Sequence, residues 1–297
     1  TVALQENPNL ISRLSSTEHG LSSTTVSCIV QDNRGFIWIG TEDGLNKFDG
    51  YRFTVYKRSS EQSGSLIGNH ITALFTDKND RLWIGTIQGL QYYDRKTDSF
   101  VSAALNQPDY IVKNNQCNAI YQDKKGVLWF ASSGLGVLRY DPYSSQSLLF
   151  SPSHTHPDKS LSSGYIRSIA EDSEGNLWFG SEDNGISVYN PAKNSFTNYS
   201  VATGHLPSNA IFGLSKRKNG DMLIATVGGG VVVFDKNQRK FLIYPDVFNS
   251  KTSRHTFCAI EDKEGQIWAG TEGLGVIQFN IGQHSVQRHP VFKEYLQ

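Results

Sequence analysis

Short stretches of alternating apolar and polar residues, separated by turns rich in Asp, Asn and Gly, fill the chain from residue 26 onward. Nowhere does the apolar spacing follow the 3.6-residue period of an amphipathic helix, so the predicted elements are strands. The pattern is also periodic. Trp38, Trp83, Trp129, Trp178 and Trp268, with Leu223 standing where a sixth Trp would fall, are spaced 45, 46, 49, 45 and 45 residues apart. A fixed period of about 40 to 50 residues is the signature of a repeat array and governs every later inference.

The same sentence recurs around each anchor. Asp32 to Thr41 (DNRGFIWIGT) is matched by Asp172 to Ser181 (DSEGNLWFGS) and Asp262 to Thr271 (DKEGQIWAGT). Asp followed three residues later by Gly is turn chemistry, because Asp accepts local backbone bonds and Gly takes positive φ. Two residues past each anchor comes a small residue (Gly40, Gly85, Ala131, Gly180, Ala225, Gly270), and the next is Thr or Ser. Before each turn an apolar segment carries a small residue at one register: Cys28, Ala73, Ala119, Ser168, Gly213 and Cys258. After a Gly-containing loop a third segment ends in an aromatic and then Asp or Asn, as in Leu45 to Asp49 and Ile186 to Asn190, which reads as a strand closed by an Asx turn. A fourth segment is marked by pairs such as Phe53 and Tyr56, Phe196 and Tyr199, and Phe241 and Tyr244.

Four short strands per unit predict an all-β fold, a β-propeller of four-stranded blades, with residues 1–297 forming one propeller domain. Six units are visible, centred on Trp38, Trp83, Trp129, Trp178, Leu223 and Trp268. The repeat Trp fills the space between neighbouring blades, and its replacement by Ala should cost roughly 3 to 5 kcal/mol. Unit five lacks the turn Asp (Arg217) and the Trp (Leu223), and unit two has Asp80 in place of the turn Gly, which puts the regularity of those two blades in question. Closure is left open between two schemes. Ile11 to Leu14 reads as an outermost strand, while Val286 to His289 gives the last unit its own, so the array is either a closed six-bladed ring or a seven-bladed propeller short of one blade.

Charge and composition narrow the functions. With 28 Lys+Arg against 28 Asp+Glu the net charge is zero, which excludes nucleic-acid or anionic-membrane binding driven by bulk charge. Hydrophobic residues at 38% exclude a disordered tail. The three cysteines are too few and too dispersed for a disulfide framework or a metal knuckle, and read as small hydrophobes. No apolar run reaches the roughly 18 residues that cross a bilayer, and residues 1 to 30 lack a basic region followed by an apolar one. The chain is therefore expected to be a soluble piece that does not itself insert in a membrane, either processed or excised from something longer.

The repeat resembles the two-component regulator propeller of the extracytoplasmic sensor regions of bacterial hybrid histidine kinases. The resemblance covers nearly the whole chain and is carried first by Gly20-Leu21-Ser22-Ser23, Val26, Gln31-Asp32, Trp38-Ile39-Gly40-Thr41, Gly44-Leu45-Asn46 and Phe48-Asp49-Gly50. It implies a periplasmic location, further domains of the same receptor, a membrane helix and a cytoplasmic output module, and is compatible with a homodimer. It implies no cofactor and no catalysis by this domain.

Positions that stay constant across repeats serve packing, so function is expected where repeats differ on one face. Residues at the start of the inner strand include His70, Tyr165 and His255, with Arg167 and Arg254 close by, and the loops after the Trp strands offer Glu42, Glu182 and Glu272. A ring of carboxylates, Arg, His and Tyr around a shallow mouth suits a small polar ligand such as an oligosaccharide. Any one of these side chains is equally what a solvated loop carries. His154-Thr155-His156 has metal-ligand spacing but no third ligand nearby in sequence, and Gly228-Gly229-Gly230 joins two strands rather than opening a phosphate-binding helix. No nucleophile elbow or His-Glu-x-x-His is present. Converging carboxylates leave a propeller lyase or glycoside hydrolase as one alternative, and a pure interaction scaffold as another.

Overall fold

The computed structural model describes residues 17, 20–103, 105, 115–153, 155–244, 248, 254–283 and 285–288. They carry six four-stranded antiparallel sheets, one per repeat unit, in the β-propeller fold. Blades 1 to 6 occupy 26–56, 71–102, 117–150, 166–199, 211–242 and 256–288. Chain order is sheet order in each. Blade 4 is representative: inner strand Ile166–Glu171, Trp strand Leu177–Ser181, third strand Ile186–Asn190 and outermost strand Ser195–Tyr199. Blade 6 has its own outermost strand, Ser285–Arg288. The expected strand at Ile11 to Leu14 lies outside the described residues, as does His154. Two compact units divide the described chain: residues up to Gln122 with Tyr143–Gln146, and Asp123–Pro142 with the residues from Ser147 on.

The turn before the Trp strand is built by one carboxylate. Asp32 Oδ1 accepts the N–H groups of Arg34 and Phe36 at 3.0 and 3.1 Å, and Oδ2 accepts the Trp38 indole N–H at 2.9 Å. Five units share the indole bond, with Asp77–Trp83, Asp123–Trp129, Asp172–Trp178 and Asp262–Trp268 at 2.9, 3.0, 3.0 and 2.6 Å. A single Asp thus closes the hairpin and orients the large side chain that the next blade packs on. Asp80 takes φ 59°, the left-handed conformation that the other units give to Gly, and Asp is among the residues that tolerate it. In unit five the backbone bonds of the turn persist without the Asp, from Gly220 N–H to Arg217 O and from Arg217 N–H to Asp221 O. Blades 2 and 5 are therefore as regular as the rest, and the departures at Asp80, Arg217 and Leu223 leave them so.

The small-then-hydroxyl column has two separate causes. Thr41, Thr86, Ser132, Ser181, Thr226 and Thr271 each donate a hydroxyl to the carbonyl of the Gly that closes the following loop, at 2.9 to 3.1 Å. The preceding Gly makes room for the next blade. A Cβ on Gly40 would stand 2.6 Å from Ile71, and one on Gly180 2.6 Å from Ile211. Trp38 lies buried with its ring 5.0 Å from Tyr93 of blade 2, and Trp178 lies 5.0 Å from Phe234 of blade 5, so the repeat Trp does fill the space between blades.

Candidate ligand-binding site

The strand register determines which side chains can vary without disturbing the fold. In blades 1, 2, 4, 5 and 6 the pairing between inner strand and Trp strand shifts by one residue near its start: between Val26 and Cys28, Ile71 and Ala73, Ile166 and Ser168, Ile211 and Gly213, and Thr256 and Cys258. Each shift leaves one residue unpaired: Ser27, Thr72, Arg167, Phe212 and Phe257. A bulge of this kind re-aims one side chain and leaves the ladder on either side intact.

In the second unit the structure brings three of the expected residues together. Ser133, Tyr165, Arg167, Glu182 and Asp183 line an open recess of about 420 Å³. Arg167 Nε and Nη2 lie 3.1 and 3.0 Å from Glu182 Oε2, and its guanidinium sits 5.3 Å over the Phe212 ring. Phe212 in turn meets Phe257 edge-on at 5.6 Å. The three bulge residues of blades 4, 5 and 6 therefore form one run, cation to ring to ring. Tyr165 is 50% exposed, and its backbone bridges Ser133 of blade 3 while its carbonyl accepts Glu182 N–H at 2.9 Å. Asp183 is held by the Ser163 hydroxyl at 2.6 Å.

The recess stands on a backbone joint. The Gly164 carbonyl accepts both Gly134 and Gly136 N–H at 2.9 Å, and a Cβ on Gly164 would lie 2.4 Å from Gly134 O. The joint recurs from Gly44 N–H to Asn69 O, Gly185 N–H to Asn209 O, and Gly228 N–H to Arg254 O. Arg254 thus serves the joint through its carbonyl, and its Nε donates to Phe248 O at 2.8 Å. His255 and Glu272 pair at 2.5 Å between Nδ1 and Oε2, with the Glu272 side chain 63% exposed. In the first unit His70 accepts Ile87 N–H through its carbonyl, and Glu42 is exposed with its own N–H bonded to Thr25 O.

Among the described residues no three His, Cys, Asp or Glu side chains stand together as a metal site, and the three cysteines are unpaired. Burial pushes the thiols of Cys28 and Cys117 up to about 12. No described helix is long and apolar enough to cross a membrane.

Phe212 and Phe257 escaped the sequence reading because they occupy the bulge register, which the apolar alternation hides. The signal was the same column that holds Arg167, one residue after the first apolar position of each inner strand.

A family model described as two component regulator propeller matches residues 20–43, 65–88, 112–134 and 160–183, which include His70, Tyr165, Arg167, Glu42 and Glu182. Over 61 residues, 20% of this chain and 4% of the relative, the chain is 43% identical to histidine kinase P4 of Formosa agariphila. Its fold is similar to the extracellular domain of a putative hybrid two component system from B. thetaiotaomicron, with a TM-score of 0.77 and 27% identity over 92% of this chain and 36% of the other. Virginiamycin B lyase from Staphylococcus aureus shares the fold alone, at a TM-score of 0.67 and 12% identity over 90% of this chain and 84% of the lyase. The chain spans about a third of the length of the two component relative and a small fraction of the kinase.

Proposed function

We propose, from the match of four of its six units to the two component regulator propeller, that the chain is the periplasmic, non-enzymatic sensor propeller of a bacterial two-component receptor, with a small polar ligand, an oligosaccharide, held in the recess of Tyr165, Arg167 and Glu182. The observation that carries the ligand reading is the Arg167–Glu182 pair beside the half-exposed Tyr165 ring. A sugar offers vicinal hydroxyls to a carboxylate and a guanidinium, and a C–H face to an aromatic ring. The Phe212 and Phe257 rings continue an aromatic run from Arg167, and ring faces of this kind are what a second sugar unit could stack on. Further domains of the receptor read the occupied state, because a ligand shifts an equilibrium only by its differential affinity for two states. An isolated propeller is then free to bind without moving.

Isothermal titration of the purified domain against neutral and acidic oligosaccharides tests this. Tyr165→Ala and Arg167→Ala should each weaken a binder roughly tenfold or more, the worth of one stacked ring or charge-assisted bond, with the thermal midpoint unchanged. Binding that survives both substitutions removes the ligand from this recess, and a folded domain that takes no sugar supports the scaffold reading.

A second reading has one observation in its favour. His255 and Glu272 form a histidine–carboxylate pair at 2.5 Å, the arrangement of an oriented general base in a lyase or hydrolase. Glu272 stands largely in water rather than in the desolvated setting that tunes such bases, which favours the sensor reading. Release of unsaturated or reducing ends from a polysaccharide panel, abolished by His255→Ala, would establish the enzyme instead.

A further inference from the structure

The outermost strands of blades 1, 3 and 4 end in a ring that stacks on the repeat Trp: Tyr56 on Trp38 at 5.9 Å, Phe150 on Trp129 at 6.0 Å and Tyr199 on Trp178 at 6.4 Å. Where that ring is a tyrosine, its hydroxyl needs a partner. Between blades 1 and 2 the partner is Asp98, which accepts the Tyr56 hydroxyl at 3.1 Å and that of Tyr93 as well. Beside it Arg95 Nη2 lies 2.9 Å from Asp32 Oδ2 and 3.3 Å from Asp80 Oδ1. Hydroxyls, carboxylates and one guanidinium thus fill that crevice. Between blades 3 and 4 the ring is Phe150, which asks for no partner, and Tyr189 donates to Asn194 at 3.0 Å.

Blades 4 and 5 leave the same place unfilled. Tyr199 stands where Tyr56 does, but blade 5 has Phe234 for Tyr93, Lys236 for Arg95, Arg239 for Asp98 and Gly220 for Asp80. Both carboxylates that blade 2 sends into its crevice are therefore missing. What remains is a cavity of about 260 Å³, with Val188, Met222 and Phe234 in its walls and Lys193, Lys236 and Arg239 among its polar groups. The Lys236 ammonium folds over Gly220, 2.8 Å from where a Cβ would stand. Among the described residues neither this ammonium, nor that of Lys193, nor the Tyr199 hydroxyl has a hydrogen-bond partner. Arg239 has only Glu174, at 3.6 Å and with both side chains well exposed. Asp172 also lines the cavity, and its oxygens already accept four donors, from Glu174, Asn176 twice and Trp178.

We propose that this cavity binds a small organic carboxylate, whose head group takes the place that Asp98 holds between blades 1 and 2 and whose apolar body lies against Met222 and Phe234. The head group supplies what the crevice lacks, an acceptor for the Tyr199 hydroxyl and a counter-charge for Arg239 and Lys236. Burial raises the Tyr199 hydroxyl above its ordinary value, so at neutral pH it is protonated and able to donate. The volume lies below the roughly 300 to 1,000 Å³ of pockets for drug-sized ligands, which suits a single ring or a short aliphatic chain and excludes an oligosaccharide. The site sits at the opposite end of the blade 4 strands from the recess of Tyr165 and Arg167, and the proposal does not rest on what that recess binds.

Isothermal titration of the purified protein with benzoate, and with benzyl alcohol as its neutral match, tests the proposal. Benzoate should bind at least about tenfold more tightly than the alcohol, the worth of one charge-assisted bond. Arg239→Asp sets the blade 2 residue at φ 52°, close to the 50° that Asp98 itself adopts, so this variant should fold. It should abolish benzoate binding and raise the thermal midpoint, because the new carboxylate takes the Tyr199 hydroxyl. Glu174→Gln removes the competing anion and should tighten benzoate about two- to fivefold, the range of an exposed ion pair. Arg167→Ala should leave benzoate binding unchanged. Benzoate binding weaker than about 10 mM, equal binding of the alcohol, or binding that survives Arg239→Asp each overturns the proposal.

Discussion

Arg217 reaches across from blade 5 to Glu261 of blade 6, with Nη2 and Nε 2.7 and 3.0 Å from Glu261 Oε1, in the one unit that has neither the turn Asp nor the Trp. The pair is nearly buried on both sides, and the Lys218 N–H bonds the other carboxylate oxygen at 2.7 Å. Blade 5 thus replaces an interaction inside its own hairpin by one with its neighbour. Arg217→Ala would strand the buried carboxylate and should cost about 3 kcal/mol, measured by urea unfolding. Arg217→Asp, which restores the residue of the other units, should be worse, because it sets a second carboxylate beside Glu261.

Acid should unfold the domain through a small set of carboxylates. Burial alone would raise Asp32 and Glu261, yet the Trp38 indole and Arg95 hold Asp32 low, and the Lys218 amide and Arg217 hold Glu261 low. Asp262 is lowered mainly by its bond to the Trp268 indole. A carboxyl lowered in the folded state adds stability that is present above the unfolded value and is lost as pH falls through the folded one. The thermal midpoint should therefore hold down to about pH 5 and fall steeply from about pH 4. Arg95→Leu should lower the thermal midpoint above about pH 5 and make the fall below it shallower, because Asp32 then contributes less stability that protonation can remove, and an unchanged profile would show that Asp32 does not contribute.

Asp172 and Trp178 should behave as one unit. Trp178→Ala should cost roughly 3 to 5 kcal/mol and Asp172→Ala about 1 to 3 kcal/mol. The double variant should cost clearly less than both together, since each single change already breaks the same indole bond.

The small column offers a graded test of packing. Gly180→Ala sets a methyl group 2.6 Å from Ile211 and should cost about 1 to 3 kcal/mol, because two β-strands fix both positions. Gly270→Ala meets only the Cys258 thiol at 2.9 Å, which can rotate away, so the same substitution should be nearly silent in this chain.

Legibility in the sequence followed the length scale of each interaction. The Trp period, the Asp turns and the Asx turns closing the third strands are local, and Asp49 accepting Tyr51 and Arg52 N–H at 2.8 Å is the kind of contact a short motif announces. The expected polar residues were also readable as a column, and Tyr165, Arg167 and Glu182 do share a recess. What stayed hidden depends on pairings between units some 45 residues apart. The Arg217–Glu261 exchange, the Gly164 joint and the Phe212–Phe257 contact are each set by where one blade meets the next, and one-dimensional periodicity carries no such register. The Asp-to-indole bond was the exception: a constant six-residue separation between Asp and Trp announced it, but turn chemistry alone accounted for the Asp.

The unpaired residue at the head of each inner strand has an evolutionary corollary. Its backbone is secured by ladder bonds on both sides, so the fold places little demand on its side chain, and Ser27, Thr72, Arg167, Phe212 and Phe257 bear this out in their diversity. Those positions act as interchangeable sockets on a fixed frame. The residue there can change one letter at a time, from hydroxyl to cation to aromatic, while the pairing of the ladder on either side stays the same.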